Sequence, residues 1–328
     1  MTDFFLYSRM RTHGTLAETP ADIPDARFAL PSTINWMRAL AILVEDQTLN
    51  FGEARRFYSS VQRRAVSDRE VNSICEQLLF ALHQIAGLRA IATASNKADV
   101  ARIGIVAWYY GIYGAASAMI AAADGSFPET HAATAMQWAR HFPTNRLAMP
   151  PFADRLSDLS DATIERELAP MRARGKHSLT VAPTTATQAW GCCTEYVSGT
   201  ASWEQWNIRE QVKDTREFKD LGTDNFRTAA AKKLRDARYE KRGIAFLHEA
   251  SRHRGKANYR DAIYLAYGKS VPALLSGFID DLERVLVGFS AMAAAYASMR
   301  MGRDTWTAFI DDLEAKRSIS VSPKAMWS

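Results

Sequence analysis

The stretch IGIVAWYYGIYGAASAMIAAA, residues 103–123, carries no charge along its length, and its reading decides what kind of protein this is. About 20 apolar residues are enough to cross a bilayer as a helix. The composition argues against a span. Trp108, Tyr109, Tyr110 and Tyr113 stand near the middle of the stretch, whereas membrane aromatics gather at the two ends. Much of the remainder is Ala and Gly, which are weakly apolar. A helix buried on all sides in a protein core fits better, and it predicts a soluble, mainly α-helical protein with no membrane partner.

The flanks carry helix punctuation. Upstream, Ser67 to Glu70 (SDRE) reads as a capping box leading into Val71, Ile74, Cys75, Leu78, Leu82 and Ile85 at helical spacing. Asn96 is placed to cap the uncharged helix, which stops near Gly125. Ser126 to Glu129 (SFPE) offers a second capping box with Pro128 in the first turn, and Pro143 ends the helix that follows. So short a joint predicts an antiparallel helical hairpin.

Further along, Pro143, Pro150, Pro151, Pro170 and Pro183 interrupt the chain, and HSLTVAPTTATQ (177–188) is a poor helix. A short helix over Asp161 to Arg172 is the one regular element expected before Gly222. Helix is predicted again after Asp224, through FRTAAAKKLRDARYEKRGIAFLHEA, with a break at Gly255. Ser270, with Pro272 behind it, is expected to open a long helix through SGFIDDLERVLVGFSAMAAAYASM. A last amphipathic helix begins near Asp304, with Trp306, Phe309, Ile310 and Leu313 on one face. The word FIDDLE recurs at 278–283 and 309–314, which reads as two similar helices and not as a solenoid.

With 328 residues, 47% hydrophobic and 23% charged, the chain has ordinary globular composition. The formal charge is +5 and the pI about 9.1. Arginine outnumbers lysine, which suits planar contact with phosphates and carboxylates. Cys75, Cys192 and Cys193 build neither a disulfide framework nor a zinc spacing, and MTDFFLYSRMRTHG is no signal peptide, so a reducing cytoplasmic setting is expected. No P-loop, GxGxxG, HExxH or GxSxG word occurs, and the seven histidines show no metal-ligand spacing. No cofactor or metal is predicted. The neighbouring carboxylates Asp280–Asp281 and Asp311–Asp312 diverge by about 100° around a helix, which makes them solvated faces before active-site pairs.

One segment stands apart: RHRGKANYRD, residues 252–261. Arg252, His253, Arg254, Lys256 and Arg260 crowd into it, with Gly255 loosening the backbone and Tyr259 among the cations. Arginines beside an aromatic ring can hold phosphates while the ring stacks on a base. The same residues also suit a helix–helix corner, where arginine pairs with Asp261 and Tyr259 packs inside.

Two blocks together resemble the HEPN (higher eukaryotes and prokaryotes nucleotide-binding) family. The first is WYYGIYGAASAMIAAADGSFPETHAATAMQWARHF, residues 108–142, similar to the family's aromatic-rich helix followed by a Thr-His pair, here Thr130–His131. The second is Arg254 to Tyr259 (RGKANY), which resembles the family's R-x-x-A-D-Y word at the start of a later helix. The resemblance covers about a quarter of the chain. It implies a helical bundle over 96–142 and 224–300, preceded by an N-terminal helical region (1–95). An irregular insertion (143–223) would interrupt it, and a C-terminal amphipathic helix and tail (301–328) would follow.

The resemblance also implies RNA or a nucleotide as ligand, a homodimer, and a ribonuclease effector of a toxin or phage-defence system. Arg254, Asn258 and Tyr259 would then be catalytic, and Arg252, His253, Arg254, Lys256 and Arg260 would bind nucleic acid. Nuclease members carry Arg-x(4–6)-His on one helix; here Tyr259, next to Asn258, stands where that histidine would be. Arg242-x5-His248 and Arg172-x4-His177 fit the spacing, but chance supplies about as many matches. The alternative is a non-enzymatic helical subunit of a multiprotein assembly, with a protein partner.

Overall fold

The computed structural model describes residues 29–256, 258, 265–266 and 271–328. Over these the protein is mainly α, with one two-stranded antiparallel ribbon. The bundle begins with α1 (Ala29–Asp46), α2 (Phe51–Phe57), α3 (Asp68–Ile91), α4 (Ala101–Asp124) and α5 (His131–His141). Ser67 forms the expected capping box with Glu70 at the start of α3. Asn96 instead caps a 3-10 turn, Lys97–Asp99, just before α4, and Gly125 ends α4 in the left-handed region at φ 80°.

The uncharged stretch lies in α4, which is long and apolar enough to cross a membrane but is mostly buried inside the bundle. Ile105, Trp108, Ile112, Ala115 and Met119 are all at 1% exposure or less. The long helix α12 (Phe278–Met301) lies alongside it. A Cβ at Gly104 would meet Ile279, and one at Gly111 would lie 2.5 Å from Leu286. The two backbones therefore approach closely and run in the same direction. The helix α3 packs against the other side in the opposite sense, with Gln84 facing Gly111 and Phe80 facing Gly114. Arg64 and Arg300 donate to the carbonyls of Ala121, Ala122 and Ala123, satisfying the end of α4 that helix geometry leaves open.

The hairpin expectation fails at α5. His131 contacts Tyr109, Thr134 donates to Tyr113 and His141 reaches Asp124, so α5 runs in the same sense as α4. The joint is extended and returns along α4 before α5 starts. The cap is Thr130, which accepts from Ala133 N–H, and not the SFPE word.

The insertion is more regular than its prolines suggest. It holds α6 (Asp161–Arg174) and α7 (Ala186–Lys213), the longest helix among the described residues. Thr185 caps α7, and Ala189, Cys192, Tyr196 and Val197 form its buried stripe. The outer half of α7 joins α6, α8 (Arg216–Lys219) and α9 (Ala229–Tyr239) around a satellite core of Leu159, Leu168, Val197, Ile208, Phe218 and Tyr239. The helix expected over 226–250 is divided. After α9 the chain forms β2 (Ile244–Ala245), paired with β1 (Arg155–Leu156), and only then enters α10 (Phe246–Gly255). The remaining helices are α11 (Val271–Leu274), α13 (Arg303–Lys316) and α14 (Pro323–Trp327). Ser270 lies outside the described residues.

Candidate nucleic-acid site around Arg254

Successive residues of a helix turn by about 100°, and α10 with its first following residue spreads the basic stretch accordingly. Arg252 points to α7, donating to Thr200 Oγ1 at 2.8 Å with its guanidinium near the rings of Tyr196 and Trp203. His253 points into the core at 1% exposure, between Trp36 and Trp108, with Nε2 3.1 Å from the Thr33 carbonyl. Burial pushes its pKa down to about 3, so it is a neutral core residue and no part of a basic surface. Lys256 reaches Ser32 Oγ at 3.0 Å, beside the start of α1. Asn258 offers its carbonyl to Arg102 at 3.0 Å. Tyr259 and Arg260 lie outside the described residues. The basic stretch is therefore not a single patch.

Arg254 turns toward the tyrosines of the first block. Its guanidinium lies 4.9 Å from the centre of the Tyr109 ring, within cation–π range. Arg254 and Ser251 lie near enough to the Tyr109 hydroxyl to counter part of the rise in its pKa that burial causes, and that hydroxyl lies 2.9 Å from His131 Nδ1. Tyr110 and Tyr113 complete the aromatic wall around the imidazole, Tyr113 at 4.3 Å between ring centres. Thr134 Oγ1, one turn into α5, donates to the Tyr113 hydroxyl at 3.1 Å. His131 is half-buried; desolvation and then the charge of Arg254 lower its pKa below the usual histidine value. The imidazole is neutral at neutral pH. When Nδ1–H donates to the phenol oxygen, Nε2 keeps its lone pair and can accept a proton.

Among protein-family models, curated proteins and solved structures, none matches this chain.

The cluster thus consists of one arginine, one neutral imidazole and three phenol rings, brought together from α4, the start of α5 and the end of α10. Among the described residues no group of His, Cys, Asp and Glu is arranged to hold a metal ion. Sequence reasoning quoted Thr130–His131 only as part of the resemblance and did not count His131 among the site residues. The signal that would have found it is the aromatic i, i+1, i+4 set Tyr109, Tyr110 and Tyr113 one helix earlier. A polar-tipped aromatic stripe on a core helix needs partners for its hydroxyls, and His131 and Thr134 are those partners.

Proposed function

We propose that this is a HEPN-like RNA-binding protein whose ligand contacts the Arg254–Tyr109–His131 cluster, with RNA cleavage as the associated activity. The observation that carries the reading is the convergence itself. The two blocks that suggested the family, far apart in the chain, meet side chain to side chain through Tyr109. A guanidinium binds a backbone phosphate with charge-assisted bonds, and the tyrosine wall offers a surface to an unstacked base.

The histidine missing from the Arg254 word is supplied by α5. In a cleavage step neutral His131 would take the proton of the 2′-hydroxyl at Nε2 as that oxygen attacks phosphorus; the P–O5′ bond breaks, solvent protonates the leaving 5′-oxygen, and Arg254 offsets charge on the phosphate. The test is a labelled single-stranded RNA incubated with the full chain in the presence of a chelator. The reading expects cleavage that His131→Ala abolishes while binding survives, and binding that Arg254→Ala weakens. Wild-type binding and cleavage retained in both folded variants would remove the assignment.

A further inference from the structure

A second cationic feature lies at the other end of α5, outside the cluster just described. A cavity of about 150 Å³ opens between the end of α5, the β1–β2 ribbon and the first turn of α10. Its wall contains Arg140, Arg155, Lys241 and Arg242 together with His248, and no carboxylate lines it. The fold concentrates this charge for a specific reason. Register pairs Arg155 with Ala245, and Gly243 lets the preceding turn press against β1, because a Cβ there would lie 2.9 Å from the Leu156 carbonyl. That close approach carries Lys241 and Arg242 up to Arg155. Arg242 is held by Glu204 on α7 at 3.0 Å. Among the described residues no carboxylate pairs with Arg140, Arg155 or Lys241. Like charges brought together without counter-charge repel one another, and a bound anion removes that cost.

His248 adds a neutral donor. Its Nδ1 accepts from Ala245 N–H at 3.2 Å, which fixes the ring proton on Nε2. Burial and the nearby Arg242 push its pKa down to about 4, so the ring adds no charge to the repulsion already present.

We propose that this cavity is an anion site that takes a phosphate group. The volume admits a phosphate with a few waters, and arginine forks match its oxygens. The phosphate can come from a free phosphate or phosphomonoester, or from the backbone of an RNA strand. Arg140 lies about 13 Å along α5 from His131 by helical rise, so a strand held at the Arg254 cluster could extend to it. The anion site itself does not depend on that cluster.

The experiment is ³¹P NMR of inorganic phosphate titrated with the full chain. The phosphate line should broaden with wild-type protein. Arg140→Gln with Arg155→Gln should weaken the interaction about tenfold, as expected for losing two charge-assisted contacts. Lys241→Gln, at an exposed position that the ribbon does not need, should weaken it in the same direction if the double variant does not fold. The loss caused by Arg140→Gln with Arg155→Gln should be of the same size in an Arg254→Ala background, which separates this site from the proposed RNA cluster. A single-stranded RNA without terminal phosphate then distinguishes the sources. Release of the phosphate line by RNA identifies a backbone phosphate, and retention identifies a free phosphate or monoester. No broadening by wild-type protein, or equal broadening by wild type and the Arg140/Arg155 variant, overturns the proposal.

Discussion

Arg254 holds its guanidinium 4.9 Å from the ring centre of Tyr109, and the hydroxyl of that ring meets His131 Nδ1 at 2.9 Å. Tyr109 is 3% exposed, so the ring is a fixed post between a cation at the end of α10 and an imidazole at the start of α5. The post stands on α4, whose close approach to α12 through Gly104 and Gly111 leaves it little freedom to move. Packing in the core thereby sets the geometry at the surface.

The electrostatic coupling in that arrangement can be measured directly. Arg254 lowers the His131 pKa, second to desolvation. Arg254→Ala should raise the His131 titration midpoint, read by NMR of the imidazole, without carrying it fully back to the usual value, since burial remains. A midpoint unmoved by the substitution would mean that Arg254 does not face the ring.

Stability should depend on pH in a two-sided way. Burial lowers His248 to about 4 and His253 to about 3. From the unfolded value near 6.5 downward, the unfolded chain therefore binds protons that the folded one refuses, and stability falls as pH falls. Burial, with Asp154 nearby, raises the Glu249 carboxyl from 4.5 to about 8. Between those values the folded chain keeps a proton that the unfolded one releases, so stability falls as pH rises. These three groups balance at about pH 6.5, with an acid limb of ~1 kcal/mol per pH unit. Urea midpoints across pH 5 to 8 check the curve, and Glu249→Gln should flatten its alkaline limb and steepen its acid limb, because the Glu249 carboxyl opposes the two histidines throughout pH 4.5 to 8.

Two glycines should respond to alanine with opposite signs. Gly87 lies exposed within α3, and a Cβ there meets nothing within 4 Å. Gly87→Ala should stabilise by about 0.5–1 kcal/mol through helix propensity. On α7, a Cβ at Gly191 would lie 2.3 Å from the backbone nitrogen of His177. Gly191→Ala should destabilise by about 1–3 kcal/mol, because backbone yields less readily than a side-chain tip. Thermal or urea unfolding of the two variants decides it.

How much of this was legible in the sequence depends on which signals were local. The Ser67 capping box and the stop at Gly125 are local devices and read correctly. The burial of the uncharged helix followed from its central aromatic residues. Helix α7 was missed because the polar run before it and its mixed small, polar and aromatic composition hide a stripe that shows only once α1 covers it, with Trp36 stacked on Tyr196. The sense of α5 was missed because a short joint usually makes a hairpin, and nothing local marks the joint as extended.

At the site, the argument that separated Asp280 from Asp281 by their angle around a helix applies equally to Arg252, His253 and Arg254. Carried through, it would have dispersed the basic patch in advance. That Arg254 and not Arg252 faces Tyr109 is a matter of tertiary packing, which spacing does not encode.

The central claim is that Arg254 holds a backbone phosphate of RNA. Its most direct test is the salt dependence of binding to a labelled single-stranded RNA by fluorescence anisotropy, for wild type and for a folded Arg254→Ala variant. Losing one phosphate contact on a single strand should lower the slope of log affinity against log salt by about 0.7, with weaker binding at every salt concentration. Equal affinity and equal slope in the two proteins would contradict it.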